Sequence, residues 1–179
     1  MELEKRYALR LLNYGATVLV TSKFENKESI ITLAWTTPVS HSPPLLAISI
    51  GKERFTHNII KNSGEFAVNL LSLEMLNKIV GCGSVSGKDI DKFRAFSLQK
   101  ERAKYISSPL IKESFAFIEC KVDGSFDVGD HTLFIGRVLR GWIKDEYWKK
   151  EHIDIEKIKT VHHLGGCYFT YPSKELLYR

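Results

Sequence analysis

The chain has little cysteine: Cys82, Cys120 and Cys167 are its three, in 179 residues. They are widely spaced, odd in number and include no C-x-x-C pair, which excludes a disulfide framework and a zinc site of regular spacing. Reduced, structural thiols are expected. Long apolar runs are also missing. The start, Met1 to Arg6 (MELEKR), alternates charge without the apolar centre of a signal peptide, and no later stretch approaches a membrane span. The expectation is a cytoplasmic protein with no membrane partner. A basic arm is absent too. Lys and Arg number 26 against 21 Asp and Glu, a net charge of +5. That surplus is even, with 10 basic and 8 acidic side chains in residues 1–90 and 16 and 13 in residues 91–179. Nucleic-acid footprints concentrate their cations on one face or in one segment, so this pattern disfavours nucleic acid and leaves room for a local anion site.

Several chemical signatures fail as well. The histidines, His41, His57, His131, His152, His162 and His163, form no H-E-x-x-H and no spacing suited to a metal. No G-x-S-x-G is present. Gly81 to Gly87 (GCGSVSG) has serine at position 86 where G-x-G-x-x-G requires glycine, and it follows a helix-like stretch instead of a strand. Gly87-Lys88-Asp89 lacks the hydroxyl residue of a P-loop. If the chain is an enzyme, a cofactor carries the chemistry.

What is present is a globular composition, 44% hydrophobic and 26% charged, sufficient for one domain spanning 1–179. Short runs rich in β-branched and aromatic residues predict strands at Ala16–Thr21, Ile30–Trp35, Leu45–Ile50, Phe66–Leu71, Ala116–Val122 and Thr132–Ile143. Gly136 and Gly141 are expected bend points in the last of these, and Cys167–Tyr171 is expected to close the sheet. Helices are predicted at Thr56–Ser63, capped by Thr56 and stopped by Gly64, at Leu73–Val80, stopped by Gly81, and at Tyr147–Lys159. Many strands with a few peripheral helices point to a mainly β fold, an antiparallel barrel.

Ser49 to Asn58 (SIGKERFTHN) runs from a strand through a glycine turn into a helix start. Free N–H groups there, the hydroxyls of Ser49 and Thr56 and the charges of Lys52 and Arg54 have the makings of a phosphate site. An ordinary helix start with solvated cations would present the same residues.

Landmarks along almost the whole chain carry a resemblance. They are Val18–Ser22, Ile31–Thr36, Val39-Ser40, Ser42-Pro43-Pro44, Leu46–Ile50, Arg54–Ile60, Ser63–Asn69, Asp91-Lys92-Phe93, Gly129–Gly136 (GDHTLFIG) and His163–Gly166 (HLGG). In this order the set resembles the flavin reductase-like family, the FMN-binding split β-barrels of Greek-key type that include flavoredoxins and archaeal ferric reductases. The resemblance implies FMN, with Ser49, Ile50, Gly51, Lys52 and Thr56 around its phosphate and Lys92 reaching the cofactor. Thr32, Leu33, Ala34 and Trp35 match the stretch against the isoalloxazine. Ser29 stands where flavoredoxins commonly have asparagine, and Leu164 where an aromatic is common. His131 falls at the open flavin edge, where it would position NADH or NADPH; no proton transfer is assigned to it.

The implied activity is hydride transfer from NADH or NADPH to flavin N5 and electron delivery to free flavin, a ferric chelate or a redox protein, within a homodimer. Two other readings stay open. One is a flavoredoxin-type carrier reduced by a partner protein. The other is a β-barrel binding single-stranded nucleic acid through stacked aromatics, for which no repeated surface pair is evident.

Overall fold

The computed structural model describes residues 3–173. Its centre is a seven-stranded antiparallel sheet built from β1 (Val18–Phe24), β2 (Lys27–Leu33), β3 (Thr36–Ser40), β4 (Leu45–Gly51), β5 (Glu65–Leu70), β6 (Ala116–Val128) and β7 (His131–Ile143). The spatial order is β2-β1-β5-β6-β7-β4-β3. The sheet curls until β2 approaches β4, yet no hydrogen bonds join them. A barrel with an open seam results.

Alternation along β1 explains two cores. Val18 and Val20 point into the barrel with Leu33, Ile48, Ile50, Phe66, Val68 and Phe134. Leu19 faces the other way and joins Ile30, Ile79, Cys82 and Phe93 beneath two helices, α2 (Leu76–Ser84) and α3 (Lys92–Ala95). Both faces of β1 are therefore buried, which is why it reads as a continuous apolar run. Helix α1 (Phe55–Ser63) packs on β1 and β2 and buries Ile59 and Ile60, each worth about 1.5–3 kcal/mol on removal from water. Gly64 ends it in the left-handed conformation at φ 69°, as its position in the sequence requires.

Four sequence expectations are corrected. Thr56 does not cap α1, which begins one residue earlier with Arg54 at the cap position and no side-chain cap bond. Gly81 does not stop α2. A 3-10 turn at Leu73–Met75 precedes the helix, which continues to Ser84 because Gly81 lets the Phe96 ring lie where a Cβ would stand, 2.3 Å from Cε1. No helix forms across Tyr147–Lys159. Asp154 captures the Glu156, Lys157 and Ile158 amides in a turn, and Trp148–Lys149 pairs with His152–Ile153. The C-terminal run does not close the barrel: β8 (His162–Gly165) and β9 (Tyr168–Thr170) form a separate hairpin, bridged to the rest at Ala16 and His162. Strand β3, missed in the sequence because Pro38 interrupts its pattern, is the sheet edge on which a proline is tolerated.

Of the two expected bend points, Gly136 is the constrained one. It lies opposite the register shift between Val122 and Gly124, and a Cβ there would meet the Phe66 ring at 2.5 Å and Cys120 Cβ at 3.1 Å. Nothing lies within 4 Å of a Cβ on Gly141. Gly136→Ala should cost about 1–3 kcal/mol in denaturant unfolding through overpacking, whereas Gly141→Ala should leave the midpoint nearly unchanged.

Candidate functional site

The barrel seam is a cleft of about 740 Å³. Ile31, Thr32 and Leu33 of β2 form one wall and Ser49 and Gly51 of β4 the other, with Ala34 and Trp35 at one end. Of the residues proposed from sequence, Thr32, Leu33, Ala34, Trp35, Ser49, Gly51, Arg54, Thr56, Lys92 and His131 all line it.

Four do not, each for a local reason. Strand alternation puts Ser49 and Gly51 on the cleft side and Ile50 in the core, fully buried. Lys52 lies in the turn just beyond β4. Its Nζ donates to the Gly129 carbonyl at 2.9 Å and pairs with Asp127 at 3.5 Å, fastening the β6–β7 turn instead of facing the cleft. Leu164 is the unpaired residue of a bulge between His163 and Gly165, and those two neighbours reach the cleft in its place. Ser29 is buried behind Thr56, with 2.6 Å between the hydroxyl oxygens. Two hydroxyls sharing one bond leave one hydrogen over; with Ser29 as the donor, the Thr56 hydroxyl is free to donate into the cleft, and either direction satisfies the pair.

Lys92 is the most constrained cation. Although buried, its ammonium donates to the Ile30 carbonyl at 2.8 Å and the Cys82 carbonyl at 2.6 Å. No carboxylate pairs with it among the described residues. Burial holds its pKa below the ordinary lysine value; the nearby Cys82 sulfur opposes that shift and Arg54 adds to it. A buried cation served only by neutral carbonyls retains one free N–H and an uncompensated charge, a demand that an anionic ligand meets.

Beside it runs Gly83-Ser84-Val85-Ser86-Gly87, which also lines the cleft. Sequence reasoning dismissed this stretch because it fits neither nucleotide fingerprint, and so missed its role as a wall. Its small residues were the available signal. A Cβ on Gly87 would press on Ser29 Oγ at 3.1 Å and Phe55 at 3.2 Å, and one on Gly83 on Thr32 at 3.3 Å. At the start of α1 the His57 amide is taken by the Arg54 carbonyl, while those of Phe55 and Thr56 have no acceptor within the helix.

The helix start is held from behind. Thr132 Oγ1 donates to Asp127 at 2.7 Å, so it must accept from His57 Nε2 at 2.8 Å, and His57 therefore carries its proton on Nε2. The adjacent His131 faces the cleft. Its Nδ1 donates to Asp130 at 2.7 Å, and its ring lies 5.0 Å from that of Trp35. Trp35 Nε1 in turn donates to Asn13 Oδ1 at 3.1 Å, and Leu9, Arg10 and Asn13 complete the wall on that side. This N-terminal wall, with His163, Gly165 and Gly166 of the β8–β9 hairpin, was invisible in the sequence except for the H-L-G-G landmark.

An antiparallel barrel split along one seam, with hydroxyls, free amides and an unpaired lysine at one part of the opening and a tryptophan–histidine pair at another, is a split barrel whose opening offers donors to an anion and flat surface to an aromatic group. The chain belongs to the flavin reductase like family, whose domain matches residues 9–157. A protein of Archaeoglobus fulgidus is 37% identical over 97% of this chain and 93% of its own. The ferric-chelate reductase (NAD(P)H) of the same organism is 30% identical over 78% of this chain and 79% of its own. The flavoredoxin of Methanosarcina acetivorans has the same fold, with a TM-score of 0.89 at 21% identity, covering 99% of this chain and 94% of that one. Among the described residues, no helix is long and apolar enough to cross a membrane, and no cluster of side chains is arranged to hold a metal.

The thiols provide a check on this packing. Burial pushes Cys82 to about 11 and Cys120 to about 12, whereas Cys167 is exposed. Titration of the native protein with a thiol reagent at pH 8 should register one fast thiol and, after denaturation, all three.

Proposed function

We propose that the seam holds FMN and that the chain is a flavin-dependent oxidoreductase, reduced by NADH or NADPH. The observation that carries this reading is the buried Lys92 ammonium, without a carboxylate partner, in the same cleft as Thr56 and the glycine-lined wall. FMN held there would supply the redox chemistry between a nicotinamide and an acceptor such as free flavin or a ferric chelate.

The chain's own residues bind and tune. Thr56, backed by Ser29, and the open amides of Phe55 and Thr56 offer donors to a phosphate at the positive end of α1, with Arg54 at the rim. Arg54 is partly neutralised by Glu53 at 2.9 Å, so the hydroxyl and amide donors carry more of the recognition. Lys92 stabilises negative charge further along β2, beside Ile30. Thr32 gives its own hydroxyl to the Ile79 carbonyl at 2.7 Å and contributes its shape to the wall. His131, with Nδ1 committed to Asp130, presents Nε2 to the opening, where it positions a reductant beside the Trp35 ring. Lys52 supports the turn that carries His131 and makes no direct contact with the phosphate.

The same reading includes a single domain over 1–179 and a homodimer. Exposed Phe126 and Val128 on the β6–β7 ribbon, each 60% accessible, suit cover by a second copy. Free cysteines suit a reducing, cytoplasmic compartment.

Two measurements test it. Arg54→Ala with Thr56→Ala should weaken FMN about tenfold or more, the scale of charge-assisted hydrogen bonds, and riboflavin far less; Lys52→Ala should change neither. Equal losses for FMN and riboflavin would contradict a phosphate at α1. Under anaerobic conditions NADH or NADPH should bleach the bound flavin. Bleaching by dithionite alone would make the chain a carrier reduced by a partner protein, and failure to take up FMN, with steep salt-dependent oligonucleotide binding, would favour nucleic acid.

A further inference from the structure

Among the described residues three lysines and arginines line the seam: Arg10, Arg54 and Lys92. Glu53, the one acid among the described lining residues, is paired with Arg54. Lys92 lies against Ile30, and Thr56 against Ser29. Arg10 belongs elsewhere. Its carbonyl accepts from the Asn13 amide at 3.2 Å, Asn13 holds Trp35, and a Cβ on Gly15 would lie 3.2 Å from the Ala34 carbonyl. The Arg10 turn therefore sits at the Ala34–Trp35 end. Ser29 to Leu33 alone spans roughly 13 Å along an extended strand, so this end is remote from Thr56.

Arg10 is also held in place. Its guanidinium lies 4.6 Å from the centre of the Tyr7 ring, and its stem fills the space over Gly165, where a Cβ would meet Cδ at 2.7 Å. Gly165 adopts φ +117°, which disfavours any side chain there and keeps that space open. Behind the turn, His162 Nδ1 donates to the Tyr14 carbonyl at 2.6 Å. His163 gives its Nε2 proton to the Gly166 carbonyl at 2.9 Å, and so adds shape instead of a competing acid. Among the described residues no carboxylate pairs with Arg10. A positioned guanidinium with free donors fits a carboxylate or phosphate, which it can grip with two parallel bonds.

We propose that Arg10 recognises an oxyanion, carboxylate or phosphate, of the small-molecule redox partner that enters at the Trp35–His131 end of the seam. The proposal rests on the flavin reading above, and assigns the second anion to the partner instead of to FMN. Gly165 provides the notch that orients the arginine stem.

The test is equilibrium binding to the FMN-loaded protein, followed by flavin difference absorption, with NADP+, NAD+ and citrate as separate probes. FMN affinity is measured in parallel. Arg10→Gln should weaken at least one probe ten- to hundredfold, the range for a charge-assisted pair, with FMN affinity changed less than about twofold. Arg10→Lys, which keeps the charge without the fork, should fall between wild type and Arg10→Gln. The source follows from the pattern: loss for citrate alone identifies carboxylates, loss for NADP+ alone the 2′-phosphate, and equal loss for both nucleotides the pyrophosphate. Normal FMN binding with all titrations unaffected by Arg10→Gln overturns the proposal and leaves the flavin reading intact. A parallel drop in FMN affinity overturns it by assigning Arg10 to FMN, and a wild-type chain that takes up no FMN removes both readings.

Discussion

The governing constraint is a sheet that curls almost into a barrel and stops short of closing. β2 keeps one edge without a strand partner, β4 runs on from Ser49 to Gly51 beyond its pairing with β3, and buried polar backbone demands partners. The protein answers partly with its own side chains. Lys92 reaches in to bond the Ile30 and Cys82 carbonyls, and the Ser49 amide turns to the Trp35 carbonyl at 3.0 Å. What is left in the seam is a lined space with a positive bias, because its described lining includes Arg10, Arg54 and Lys92 while its one acid, Glu53, is paired with Arg54.

The rest of the molecule holds that gap open. Helix α1 buries Ile59 and Ile60 against β1 and β2, and the His57–Thr132–Asp127 chain ties its first turn to the far hairpin. Helix α2 brings two glycines into close contact, one with Phe96 and one with Thr32, so that the 83–87 wall can lie near β2. These contacts are far from the sheet order itself, yet they fix the width of the opening. In a seam of this kind, rigidity around the walls is what keeps donors aimed at a ligand before it arrives.

Much of the site was legible where chemistry and local pattern coincide. The strand–glycine–helix passage from Ser49 to Asn58 marked one corner of the cleft without any partner in view, and Thr32–Trp35, Lys92 and His131, matched by ordered landmarks, line it as well. The errors are equally instructive. Lys52 looked as suitable as Arg54 because both carry charge beside the turn, but Lys52 is taken by the Gly129 carbonyl and Asp127 across the strand pair while Arg54 reaches the cleft rim. Gly81 looked like a helix stop because spacing cannot distinguish a glycine that ends a helix from one that makes room for an aromatic ring.

By itself, the sequence determined the strand-forming runs, the helix end at Gly64, the absence of a disulfide framework and the group of residues from which a site could be made, because these follow from local stereochemistry and side-chain chemistry. Tertiary structure decided which face each of those residues shows. It sent Ile50 to the core and Ser49 to the cleft, set Ser29 behind Thr56 and carried Arg10 across to Gly165, more than 150 residues away in the chain. Those outcomes depend on register, on the curl of the sheet and on contacts between distant segments, and no local pattern encodes them.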